Sequence, residues 1–134
     1  MQKPVLTALV WSVILVNTGF LFAQTSGANI KFEDPKYNFS FVRQGEVVKF
    51  EYRFENTGDE PLVIADAQVE CGCTVVEKPE QPVKKGEKAV IKVSFDTKST
   101  IDRQDRAITV ISNAKNSPSV LRFKGVVLKP KKKA

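Results

Sequence analysis

The sequence contains no histidine. Its absence removes the side chain that most readily exchanges protons near neutrality. No Ser-His-Asp or Cys-His pair can form within the chain, and no imidazole-ligated zinc or copper site can be built. No glycine-rich loop is present to cradle a phosphate. Tryptophan and methionine occur once each, as Trp11 and Met1, and cysteine occurs twice. Beyond the N-terminal segment no window sustains the 3.6-residue apolar period of a helix. Together these absences argue against an enzyme, so no catalytic residue is assigned and no cofactor is expected.

What is present begins with an apolar run. Lys3 is the sole charge before Gln24, and Val5 to Phe22 is uncharged. The run closes on Leu-Phe-Ala-Gln, where small Ala23 precedes polar Gln24, as a signal-peptidase site requires. Residues 1–23 therefore read as a signal peptide, which implies export to the periplasm, the outer membrane or the medium. The run sits at the lower edge of the ~17–25 residues that span a bilayer, and Thr7, Ser12, Asn17, Thr18 and Gly19 weaken it further. A retained N-terminal anchor is the alternative. No cysteine stands at the junction to take a lipid, so a lipoprotein is not expected.

Residues 24–29 form a polar leader, and 30–128 hold the pattern of a folded domain. Tyr37, Phe39 and Phe41 alternate with polar residues. Val48, Phe50, Tyr52 and Phe54 alternate with Val47, Lys49, Glu51 and Arg53. Ala89, Ile91, Val93 and Phe95 repeat the pattern. Shorter runs at 30–33, 106–112 and 120–128 complete it, with Gly125 as a candidate bulge. Between them lie turn signals such as Asn56-Thr57-Gly58-Asp59-Glu60-Pro61 and Lys85-Gly86. About seven short strands punctuated in this way predict an all-β antiparallel sandwich. Asn38-Phe39-Ser40 matches the N-glycosylation pattern but falls inside a strand, and is read as chance. The aromatic side chains at strand spacing are read as core and not as a ligand platform.

The stretch from Pro61 to Val76 carries both cysteines. With period two, Val63, Ala65, Ala67, Val69, Cys71 and Cys73 share one face, which predicts a strand that buries its sulfurs. In a regular strand Cys71 and Cys73 would hold their Cα atoms ~6.5–6.8 Å apart, at the far edge of the disulfide range. A bond between them requires a local bend, for which Gly72 is the permissive residue, and so small a loop would be strained and easily reduced. Three uses of the pair stand side by side: core packing, thiol redox chemistry, and linear binding of a soft ion such as Cu(I). Glu70 next door opposes a low thiol pKa.

Read in order, Val47 to Phe54, Glu55-Asn56-Thr57-Gly58-Asp59, Pro61-Leu62-Val63-Ile64, Cys71-Gly72-Cys73-Thr74, the turn at Pro82 to Gly86, Ile91 to Thr97, Ile111-Ser112-Asn113 and Phe123 to Val127 resemble the bacterial domain-of-unknown-function family 1573. The resemblance covers Phe41 to Leu128. It implies export and an immunoglobulin-like sandwich akin to the domains of pilus chaperones and major sperm protein. It brings no established activity.

The 21 Lys and Arg outnumber the 15 Asp and Glu, but Lys129, Lys131, Lys132 and Lys133 crowd the end. The body is nearly neutral, unlike a nucleic-acid groove, and no nucleic-acid partner is expected. The tail, 129–134, offers weak attraction to an anionic surface. The expectation is an exported, monomeric, non-enzymatic binding or structural module for a protein or cell-envelope partner. Sandwiches of this kind recognise partners through end loops or edge strands, which here makes Asn56, Gly58, Asp59, Lys78, Lys84 and Lys85 the candidate contacts. The alternative is a redox or Cu(I)-binding protein acting through Cys71 and Cys73.

Overall fold

The computed structural model describes residues 26–133; the expected signal peptide lies outside the described residues. Among them there is no helix. Eight strands run in chain order: β1 Ile30–Phe32, β2 Lys36–Arg43, β3 Val47–Asn56, β4 Ile64–Val69, β5 Thr74–Glu77, β6 Lys88–Asp96, β7 Asp102–Ser112 and β8 Ser119–Leu128. Sheet A has the order β1-β3-β6-β5 and sheet B the order β2-β8-β7-β4. Their inner faces meet in one core, in which Tyr52, Phe54, Phe95 and Phe123 are the bulkiest fully buried side chains. The rings of Phe50 and Phe95 in sheet A pack on Phe123 of sheet B at 5.3 and 5.1 Å. The buried Tyr52 hydroxyl donates to the Arg122 carbonyl at 2.7 Å and ties sheet to sheet. Burial, with Asp34 and Tyr37 adding to it, pushes that phenol well above its ordinary range.

The sandwich departs from the sequence reading in three places, each with a local cause. The Pro61–Val76 stretch is two strands. It leaves sheet B after Val69, turns through the cysteines and joins sheet A at Thr74, so the strand count is eight and the cysteines lie in a turn. Its inward face is also offset. A register irregularity between Ile64 and Asp66 puts Leu62 and Ile64 inside while Val63 is 45% exposed. One extra residue reverses the face of a period-two strand, and beyond Ala65 only Ala67 packs on the core again, while Val69 stays 37% exposed.

The second departure is in β2, which pairs with β8 in parallel, against the fully antiparallel expectation. The chain crosses from β1 in sheet A to β2 in sheet B and returns to β3, so β2 runs alongside the last strand. The third departure follows from the first half of this pairing. Asn38 stands opposite Lys124 and Phe41 opposite Val126, which leaves Phe39 and Ser40 facing Gly125 alone. The bulge is therefore in β2 and not at Gly125. Ser40 takes a left-handed φ of 59°, with its N–H held by Asn38 Oδ1 at 2.9 Å. The Phe39 ring lies where a Cβ on Gly125 would sit, which is why that position is glycine. Past the bulge the alternation flips, and Phe41, expected in the core, is 67% exposed.

Asn56, at the end of β3, is fully buried. Its Nδ2 donates to the carbonyls of Glu60 at 2.7 Å and Val83 at 2.9 Å. Its Oδ1 accepts from the N–H groups of Gly58 at 3.0 Å and Asn29 at 3.4 Å. Its own N–H and C=O engage Glu87 and Gly86. The expected polar leader is part of this arrangement: Ala28 is buried, and Gly27 O accepts from Asp59 N at 2.9 Å. A Cβ on Gly58 would collide with the Gly27 carbonyl and with the backbone of Ala28 and Asn29. Asn56→Ala strands several buried amide and carbonyl groups at once, and should lower the unfolding free energy by about 3 kcal/mol; chemical denaturation measures it, and a loss well under 1 kcal/mol would show that water replaces the amide.

Candidate functional site

The candidate residues separate to opposite ends of the sandwich. Asn56, Gly58, Asp59, Lys78, Lys84 and Lys85 gather at one end, where β3 and β5 finish and β6 begins. Cys71 and Cys73 sit at the other, beside the start of β5. At the first end the structure places Asn56 and Gly58 inside, where they shape the loop and present nothing outward. Asp59, Lys78, Lys84 and Lys85 are exposed. Lys85 Nζ lies 2.9 Å from Asp59 Oδ1, joining two of the candidate loops, which are also bridged by reciprocal 2.8 Å bonds between Leu62 and Val83. The Lys85 ammonium holds the Asp59 carboxyl below its usual range, and Asp59 raises Lys85 in turn.

At the other end the chain crosses between sheets. Glu70 Oε2 accepts from Ala107 N at 3.2 Å, which pins the start of the crossover to β7. Asp96 N donates to Cys73 O at 2.8 Å, which pins its end to β6. Between these anchors Cys71 and Cys73 are joined as a disulfide, with Cα atoms 5.3 Å apart, closer than an extended strand allows. Both cysteines are half-buried. Gly72 has open space around its Cα and no left-handed φ, so the turn does not demand glycine there. Buried Thr74 sets its Oγ1 at 3.7 Å from Cys71 Sγ and 3.9 Å from Cys73 Sγ. With the sulfurs joined neither is a thiolate, so a soft-metal role needs prior reduction. Among the described residues no group of three His, Cys, Asp or Glu side chains comes together.

Two features escaped the sequence. The first is Arg106, which points inward on β7 and lies over the Phe95 ring, 5.9 Å from its centre. The second is the outer face of sheet B. On sheet A the exposed charges cancel across strands: Glu51 faces Lys92, Glu55 faces Lys88, and Glu77 also faces Lys92. On sheet B Lys36 and Arg122 stand directly opposite one another, and Lys124 and Arg103 lie nearby. Asp105 bonds Arg122 at 3.0 Å. Exposed Phe41 borders an open groove of about 390 Å³ whose lining includes Asn38, Ser40, Arg103, Asp105 and Lys124. Lys124 stands opposite that same Asp105, so the four cations share one carboxylate, an excess that overall net charge conceals because a strand divides its charges between two faces by alternation.

Two four-stranded sheets packed face to face, with the chain crossing from β1 in one to β2 in the other, define an immunoglobulin-like sandwich of the kind found in PapD-like domains. A family model described as a protein of unknown function (DUF1573) matches residues 30–127, and the chain belongs to that family. No curated protein matches it. It is similar to a protein of unknown function from Porphyromonas gingivalis at 16% identity and a TM-score of 0.67, over 83% of this chain and 51% of that one. The chain thus spans about half the length of that protein. It is also similar to the PapD-like domain 7 of human CEP192, at 9% identity and a TM-score of 0.60, over 78% of this chain and 89% of the other. The Vibrio cholerae VesB protease has a comparable region, at 12% identity and a TM-score of 0.61, over 74% of this chain and 32% of the protease. At such identities the likeness is one of fold.

Two outcomes follow. The disulfide closes a loop of three residues, so replacing both cysteines by serine should cost only about 1–2 kcal/mol; a collapse of the denaturation midpoint would make the bond structural. For Asp59, the lowered folded-state carboxyl means the ion pair stabilises fully above the ordinary carboxylate range and fades as pH falls through the lower folded value. Lys85, raised when folded, keeps its contribution until the pH passes that raised value. The Tm difference between the protein and Asp59→Asn should therefore hold from neutral pH down to about 4 and close below it; a difference that persists in acid would show that the pair is not its source.

Proposed function

We propose that the chain is an exported, non-enzymatic recognition module whose contact surface is the outer face of sheet B, and that its partner is an acidic glycan of the cell envelope. The observation that carries this reading is the groove beside Phe41. It combines an exposed aromatic ring, the amide of Asn38 and hydroxyl of Ser40, and the cations Arg103 and Lys124, with one carboxylate, Asp105, opposite Lys124. A ring packs against the apolar face of a sugar, amide and hydroxyl groups match its hydroxyls, and Arg forms paired hydrogen bonds with a carboxylate. The exposed Lys129 to Lys133 tail leaves β8 beside Arg43, whose guanidinium donates to the Lys129 carbonyl at 3.4 Å, and it extends the basic surface.

The opposite end is a weaker candidate, because Asn56 and Gly58 are internal and Lys85 is engaged by Asp59. The module should bind a polyuronate, such as polygalacturonate, at low salt, with affinity falling as ionic strength rises. Phe41→Ala and Arg103→Gln should each weaken binding about tenfold, as loss of a contact worth about 1.4 kcal/mol does, while removal of Pro130 to Ala134 should have a smaller effect. Calorimetric titration measures this. Binding lost with the tail but indifferent to Phe41 and Arg103, or adsorption to anionic vesicles without affinity for the polyuronate, would overturn the assignment.

A further inference from the structure

The glycan reading leaves the crossover turn unused, and four observations there point to chemistry. The Cys71–Cys73 bond spans three residues within one turn. It links no two elements, and so short a loop constrains the unfolded chain little. The turn is half-exposed at an end of the molecule, where another sulfur can reach it. The Thr74 hydroxyl lies within sulfur hydrogen-bond distance of both cysteines. Thr74 stands opposite Phe95, over which Arg106 lies.

Arg106 is the unusual group. It is half-buried and donates from Nε and from a terminal guanidinium nitrogen to the neutral Gln104 Oε1 at 3.2 and 2.8 Å. Among the described residues no carboxylate pairs with it. A half-buried cation without a counter-charge is costly, and reduction of the disulfide beside Thr74, the residue opposite Phe95, would supply an anion. The acids that flank the turn are directed elsewhere: Glu70 to the Ala107 N–H and Asp96 to the Lys98 N–H at 2.9 Å.

We infer that Cys71–Cys73 is a thiol–disulfide exchange centre that takes two electrons from dithiols of partner proteins, with Thr74 as hydrogen-bond donor to the released thiolate and Arg106 as a positioning cation. A partner thiolate attacks one cysteine sulfur and forms a mixed disulfide. The Cys71–Cys73 bond breaks, and its electron pair stays on the other cysteine, where the Thr74 hydroxyl reaches it. The partner's second thiolate then attacks the partner sulfur of the mixed disulfide and releases the remaining cysteine. The partner leaves as a disulfide, and Cys71 and Cys73 take up the protons its two thiols gave up. The attacking species is always a thiolate, and stabilising the leaving sulfur speeds the exchange.

Equilibration of the whole protein with glutathione redox mixtures, followed by alkylation and mass measurement, tests the centre. Millimolar reduced glutathione should open the bond while circular dichroism reports an intact fold. The reduced thiols should then alkylate with a pH midpoint below the ordinary value of about 8.5. Thr74→Val and Arg106→Gln should each move that midpoint toward 8.5 and slow exchange at neutral pH about tenfold, and Thr74→Ser, which keeps the hydroxyl, should restore both. A bond that opens only on unfolding would overturn the proposal. So would a midpoint at or above the ordinary value that these substitutions leave unchanged.

Discussion

The sandwich depends on a single buried amide. Asn56 ends the longest uninterrupted alternation in the chain and uses every hydrogen-bonding group it has, main chain and side chain, on four separate segments. A buried polar side chain with one unmatched atom is a liability, whereas one that is fully matched specifies a unique arrangement. The residues around it follow from that requirement. Gly58 has no side chain because the Ala28 backbone passes where it would be. Val83 abandons any ladder of its own to face Leu62. β1, three residues long, holds its place at the sheet edge because the segment preceding it is anchored to the same turn. The opposite end has a lighter counterpart in buried Thr97, whose Oγ1 contacts the Glu46 carbonyl at 2.6 Å and receives the Gly45 N–H at 3.0 Å.

Strands whose alternation continues without interruption were legible. Val48, Phe50, Tyr52 and Phe54, and Ile91, Val93 and Phe95, are all inside, as period two requires. Reading failed where a single residue was inserted. Ala65 and Ser40 carry no mark that distinguishes a bulge from a continuing strand, because the irregularity is a property of the pair of strands and not of either one. The cost of missing it is large, since every residue beyond changes face. That is how Phe41 came to be assigned to the core and Val63 to the buried side of the cysteine strand. Gly125 did hold the information, but in disguise: its missing side chain marks the place where the Phe39 ring crosses from β2, and the bulge lies in the strand opposite.

The candidate sites divide along the same line. Cysteine identity and spacing are local, so a bent Cys71–Cys73 turn was within reach of the sequence. What surrounds it was not. Thr74 was visible as a neighbour, but Arg106 is more than thirty residues along the chain and lies over Phe95, the residue opposite Thr74, only because β7 and β6 pack face to face across the core. The basic groove is likewise assembled from β2, β7 and β8. The motif-based choice of Asn56 and Gly58 as contact residues confused two roles that an asparagine-glycine turn can serve. Such residues are selected equally by a backbone that needs them and by a partner that touches them, and only burial separates the two cases.

The two ends and the exposed face therefore carry different burdens. The Asn56 end is closed by hydrogen bonds that leave little for a ligand, while the crossover end is held by one bond from Glu70 and one from Asp96. Neither Cys71 nor Cys73 belongs to a ladder, so their bond adds nothing to the pairing of either sheet. The groove on sheet B, by contrast, is built on the most extensively paired strand of that sheet, β8, which is flanked by β2 and β7. Rigid backbone holds its side chains at fixed separations, as recognition of an extended polymer needs. The proposed contact surface and the proposed exchange turn thus lie on separate parts of one domain, and neither Cys71 nor Cys73 touches the groove that Phe41 and Arg103 line.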